Sequence, residues 1–153
     1  MGLDKGPFVV ADTVSVDDPY GGEGTIVLPS SIATPVATIN FCVKNPLKTQ
    51  VSLDSMVQIA VLPTFPPGSA IEFAVTYQVI RDDNQIIASL NDEMDYITAV
   101  ANGRHTNFPN FPVLDENPHT GINTYELVCT RTAGQTLVIF AGSRSLKATV
   151  FTL

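Results

Sequence analysis

Apolar and polar residues alternate along most of this chain with a period of two. In SAIEFAVTYQVIR, Ile71, Phe73, Val75, Tyr77 and Val79 fall on one side, with Glu72, Thr76 and Gln78 on the other. That is the period of a strand with one face in a core. TQVSLDSMVQIAVL repeats it with Val51, Leu53, Ser55, Val57, Ile59 and Val61 in phase, and its length predicts a bend or bulge near Asp54 and Ser55. In PVATINFCVKN the more apolar side is Ala37, Ile39, Phe41 and Val43. This phase turns Cys42 outward, toward solvent, a loop or a neighbouring subunit. Further strands are predicted over residues 8–16, 24–28, 85–90, 123–131, 135–141 and 146–153. No run carries apolar residues at the three-and-four spacing of a helix.

Pro, Gly, Asn and Asp mark the reversals between these strands. DDPYGGEG, PTFPPGS, RDDNQ, ENPHTG and RTAGQ are all turn sequences, and IRDDNQII reads as a hairpin with Asp82, Asp83 and Asn84 at its tip. Residues 91–107 carry mixed signals and read as a loop with one short strand or helical turn. Eight or nine short strands without crossover helices predict an all-β fold, an antiparallel β-sandwich of jelly-roll type. Residues 1–30 are Gly- and Asp-rich and less regular; they are set apart as an N-terminal arm or edge strand, with residues 31–153 as the sandwich domain.

Composition narrows the function classes. Of 153 residues, 44% are hydrophobic and only 15% charged, against about a quarter charged in ordinary soluble domains. A surface this poor in charge suits a protein that covers part of it with other copies of itself. The formal charge of −7 comes with eight scattered Lys and Arg residues, which argues against nucleic acid as a partner. No stretch reaches the ~20 apolar residues of a membrane-spanning helix. MGLDKGPFVV lacks the basic start and apolar run of a secretory signal, so synthesis in a cytoplasm without such a signal is expected.

The chemistry-bearing residues are sparse. No nucleophile elbow, zinc-helix, phosphate-loop or dinucleotide motif occurs, and no catalytic residue, metal site or cofactor is expected. His105 and His119 read as solvated loop residues, and the acidic groups Asp17, Asp18, Glu23 and Asp92, Glu93, Asp95 as solvated turns. Cys42 and Cys129 are too few for a disulfide scaffold; they are free buried thiols or partners in a cross-link within or between chains. In GINTYELVCTRT the phase makes Tyr125, Leu127 and Cys129 core, with Glu126, Val128 and Thr130 opposite.

Two resemblances attach to these residues. VTYQVIRDDNQIIASL followed by FPVLDENPHTGINTYELVCTRTAG resembles the middle of an immunoglobulin-like or fibronectin type III domain, with Asp115, Pro118, Gly121 and Tyr125 at the corner. That likeness implies a structural latch at Asp115, Gly121 and Tyr125, the Tyr hydroxyl bonding upstream backbone. Over residues 35–153, the strand order and the closing Ser145, Leu146, Ala148 and Val150 are similar to small sandwich domains of Bacillus and Clostridium spores. They are also similar to the tumour-necrosis-factor/C1q-like jelly rolls of exosporium filaments. This implies a structural protein of the cell or spore surface.

The function expected is therefore a non-enzymatic subunit that self-assembles into a layer, fibre or appendage. Strand edges and the N-terminal arm would make the contacts, with cross-linking through Cys42. Its partners are itself and other surface-layer proteins. The alternative is a trimeric module of a spore filament or virion that binds carbohydrate or a receptor through loops 82–85 and 102–112. A glycan-active enzyme ranks last.

Overall fold

The structure, a computed structural model, describes residues 6–62, 66–97, 104–133 and 137–153, without the side chain of Tyr96. Among them are ten strands: β1 (Phe8–Val14), β2 (Ile26–Val27), β3 (Thr34–Val43), β4 (Thr49–Leu62), β5 (Ala70–Arg81), β6 (Gln85–Ile97), β7 (His105–Asn107), β8 (Asn110–Asp115), β9 (Gly121–Ala133) and β10 (Val138–Thr152). One sheet runs β1-β10-β4-β7, with β2 also on β10 and β8 also on β4; the other runs β3-β9-β5-β6. Every strand pair is antiparallel. The pairs nest: β5 with β6, β4 with β8, β3 with β9, β1 with β10. This is one long hairpin rolled on itself, the eight-stranded jelly roll, and the expected all-β antiparallel sandwich is the fold observed.

The core lies between the sheets and is filled by the phases read from the sequence. Val51, Leu53, Val57, Ile59 and Val61 of β4 face Ile71, Phe73, Val75, Tyr77 and Val79 of β5, with Tyr125, Leu127 and Cys129 of β9 beside them, all buried. Cys42 is exposed and Cys129 buried.

Several elements differ from expectation. The bulge is not in β4, which keeps unbroken register from Val51 to Val57; it is in its partner, between Ala141 and Arg144. Before the bulge β10 turns Ile139 and Ala141 inward, and after it Arg144, Leu146, Ala148 and Val150. The inward phase flips from odd to even positions, which is why the pattern broke one 15-residue strand into two. Gly142 occupies the bulge, where an added Cβ would lie 2.9 Å from Gln58 Oε1 and 3.0 Å from Pro19 Cβ.

Residues 91–97 are not loop but the second half of β6, whose edge position leaves Leu90, Asp92 and Met94 only half-buried. Pro112 interrupts the alternating pattern of β8 and hides the strand from the sequence. Pro is tolerated there because β8 is an edge strand, paired with β4 alone. The strand expected over residues 24–28 is only the two-residue β2.

Residues 6–30 are part of the sandwich. β1 and β2 share one edge of β10, and Leu28 is fully buried between the sheets. Two buried arginines hold this segment. Arg131 donates from Nη1 to the carbonyls of Leu28 (3.3 Å) and Leu137 (2.8 Å). Arg144 donates to Val36 O (2.6 Å), Gly24 O (2.8 Å) and Gly142 O (3.0 Å). Truncating Leu28 to Ala should cost about 2–5 kcal/mol, measured by denaturant unfolding, the value of a core side chain rather than of a loosely attached arm.

Candidate functional site

One end of the sandwich gathers the residues singled out as a latch. The β5–β6 turn has positive φ at both Asp82 (51°) and Asp83 (67°), as a type I′ hairpin requires, and Asp tolerates that region better than most residues. Asp82 then reaches sideways to β9. Its N–H donates to Thr124 O (2.8 Å) and its Oδ1 accepts from Thr124 N–H (2.9 Å). Its Oδ2 takes His119 Nε2 at 2.6 Å.

Asp115, at the end of β8, is buried. Its Oδ2 accepts from the Tyr125 hydroxyl (2.8 Å) and from Arg81 Nη1, while Oδ1 accepts from Asn117 N–H (3.0 Å). Arg81 also donates to Asn117 O (2.8 Å). The tyrosine thus bonds a side chain ten residues upstream, not backbone as the corner likeness implied. Gly121 opens β9 at φ +101°, a region open to Gly. Behind it the buried Asn123 closes the loop by bonding the N–H and C=O of His119. Burial, then the bond to Asp115, raises the Tyr125 phenol. Burial pulls Arg81 down, but Asp115 outweighs it and holds the guanidinium charged. The Thr120 carbonyl, then Asp82, raise His119.

In this corner the carboxylates are occupied by the chain's own donors. It ties β8 of one sheet to β5 and β9 of the other and works as a clamp. Sequence reasoning found Asp115, Gly121 and Tyr125 but not Arg81, Asp82 or Asn123. Nor did it find the buried Arg131 and Arg144, although Arg131 shares the parity of the core residues Tyr125, Leu127 and Cys129. His119 is an exposed loop residue as expected, bonded to Asp82, whereas His105 is not in a loop: it stands half-buried on β7, 6.0 Å from the Phe73 ring.

The two ligand-loop candidates do not converge. The turn after Arg81 caps one end, whereas 105–107 pairs with Ile59–Val61 on the other half of β4, and 102–103 lie outside the described residues. Asp92 accepts from Asn107 Nδ2 (2.8 Å), tying β6 to β7. Asp18 accepts within its own turn from Tyr20 N–H (3.0 Å). Among the described residues no three His, Cys, Asp or Glu side chains converge for a metal ion, and no helix is long and apolar enough to cross a membrane.

The cysteines sit on opposite faces of one sheet. Cys129 is in the core, where burial pushes its thiol up to about 12. Cys42 lies on the outer face opposite Ile122, seven residues from Cys129 along β9, or roughly 20 Å. That excludes a disulfide within the chain, so a link between copies has only Cys42 to use. Cys42 lines a groove of about 380 Å³ with Phe8, Val43, Lys44, Asn45 and Val150.

No protein-family model matches the chain, and no curated protein matches it. Solved structures match in fold. Against VP2 of infectious bursal disease virus, in its subviral particle, the TM-score is 0.50 at 14% identity, covering 97% of this chain and 33% of that one. A structure of the Gx strain of the same virus gives 0.45 at 14% identity over 99% and 36%. Dimeric latent PorU from Porphyromonas gingivalis gives 0.46 at 10% identity over 99% and 13%. The chain spans about a third of the length of the viral chains it resembles. These likenesses are of fold alone.

Removing the Tyr125 hydroxyl (Tyr125→Phe) should cost about 1–3 kcal/mol. Asp115→Ala should cost more, about 2–4 kcal/mol, because it takes the shared acceptor from both the buried Tyr125 hydroxyl and the largely enclosed Arg81 guanidinium; urea unfolding measures both. His119 donates from both ring nitrogens only when protonated, and its folded value is raised above 6.5. Its contribution is therefore full below that pH and is lost as pH rises through the raised value. Unfolding midpoints followed against pH should register this loss in the wild type and not in His119→Gln.

Proposed function

We propose that this chain is a non-enzymatic structural subunit that assembles with copies of itself. The observation that carries this reading is a charge-poor surface on which large apolar side chains stand exposed, among them Leu47 (96%), Leu153 (72%), Ile97 (70%) and Ile122 (65%). Such side chains cost free energy in water and release it when covered. The jelly-roll sandwich supports the same reading, since VP2 in its subviral particle is built on this fold. That likeness favours a virion over the spore surface as the setting. The buried charged residues Asp115, Arg131 and Arg144, and the half-buried Arg81 beside them, all serve the architecture, which supports a role without catalysis. Self-assembly is the first reading, because the loops a trimeric binding module would use stand apart.

Mass photometry and negative-stain microscopy of the purified chain test this. Closed particles or polymers well above the 16.4 kDa monomer are expected, growing with protein concentration. A monomer at every concentration overturns the reading.

A further inference from the structure

Among the described residues the lysines without an ion-pair partner lie together, and one group of carboxylates likewise without one lies away from them on the same sheet. Among the described residues the cations are mostly engaged: Arg81 with Asp115, Lys147 with Asp54 at 3.4 Å, Arg104 over the Tyr20 ring at 4.6 Å, and Arg131 and Arg144 on backbone carbonyls. Among the described residues Lys44 and Lys48 have no ion-pair partner, and both are exposed on the loop between β3 and β4. Lys44 lines the 380 Å³ groove beside Cys42. Phe8 is exposed in the groove lining; nearby along the chain Leu47 is exposed on the same loop, Ile122 stands opposite Cys42, and Leu153 is fixed by its N–H to Lys48 O at 2.6 Å.

The counterpart is on the same sheet. At the far end of the β5–β6 ladder, Glu72 stands directly opposite Asp95, and Glu93 opposite Ala74. All three carboxylates are exposed on the outer face with no cation among the described residues. Like charges placed directly across a ladder destabilise it unless something neutralises them. Ile97 projects from the same face two residues beyond Asp95 and is 70% exposed. One surface is thus an apolar groove beside two lysines, and the other an apolar knob beside three carboxylates.

Resting on the self-assembly reading, we infer that the occupant of the groove is a second copy of this chain, joined head to tail. Ile97 of one copy seats in the groove of the next, and its Glu72, Glu93 and Asp95 meet Lys44 and Lys48. β3 and β6 are the two edges of their sheet, and the groove and knob lie at opposite ends of it, so the surfaces are diagonally opposed and non-equivalent. Contacts of this heterologous kind propagate into an open chain or close into a ring, according to the rotation between copies. The joint holds no second cysteine opposite Cys42. Cys42 is covered there rather than bridged, and the polymer is non-covalent at this contact.

Every side chain to be changed is exposed, so the fold survives substitution; melting curves check this. The double variants K44E/K48E and E72K/D95K should each weaken assembly by ~100-fold or more, since like charges across a contact cost several kcal/mol. An equimolar mixture of the two should regain it, because each altered end then meets an altered partner. In wild-type protein, maleimide labelling of Cys42 should slow as assembly proceeds, Cys129 being buried throughout. If wild type assembles and the double variants assemble equally well, or the mixture fails to recover, this joint is wrong while self-assembly stands. Labelling that stays fast in the assembled protein also overturns the joint. A wild type that remains monomeric overturns both.

Discussion

The Asp115 carboxylate ties the two sheets together at one end of the sandwich. A jelly roll is a single hairpin rolled so that its strands alternate between sheets, and hydrogen-bonded ladders run only within each sheet. Something else must fix the sheets to each other at the ends, where the apolar core thins out. Here one buried carboxylate, at the end of β8, accepts from Tyr125 of β9, from Arg81 of β5 and from the backbone of its own loop. Burial strengthens these bonds and makes an unpaired member costly, so the cluster holds as a unit. It sits beside the β5–β6 turn, the innermost pair of the roll. The turn's Asp82 bonds β9 on the other side. Register at the tip of the hairpin and spacing between the sheets are therefore set in one place.

The opposite problem, attaching the segment that leads from the outermost strand into β3, is handled by cations without counter-ions. Arg131 and Arg144 are buried, and their recorded hydrogen bonds all go to backbone carbonyls, several of them from the first 36 residues. A guanidinium carries its donors in a fixed fork, so one side chain can satisfy carbonyls from two or three segments that lack strand partners. Leu28 fills the core between them.

Side-chain bonds also cross the long sides of the sandwich. Asp12 of β1 accepts from Thr38 N–H of β3 (2.9 Å), and Asp92 of β6 from Asn107 of β7 (2.8 Å). The first of these bonds occupies a backbone N–H of the edge strand β3.

The period-two pattern, the turn residues and the parity of apolar positions determined the fold class, the inward faces of β4, β5 and β9, and the opposite orientation of Cys42 and Cys129. All of these follow from local geometry, since successive side chains on a strand must point to opposite faces. Tyr125 and Asp115 were also legible as a corner, because the turn chemistry between them is local. What only the tertiary structure decided depends on partners distant in the chain. A bulge at Gly142 reversed the parity of β10. Edge placement let β6 carry Asp92 inward and β8 tolerate Pro112. Arg131 and Arg144 became core residues by finding carbonyls more than a hundred positions away. Alternation specifies which face of a strand is buried, but not which strand lies beside it, and pairing alone decides whether a polar group on that face finds its partner.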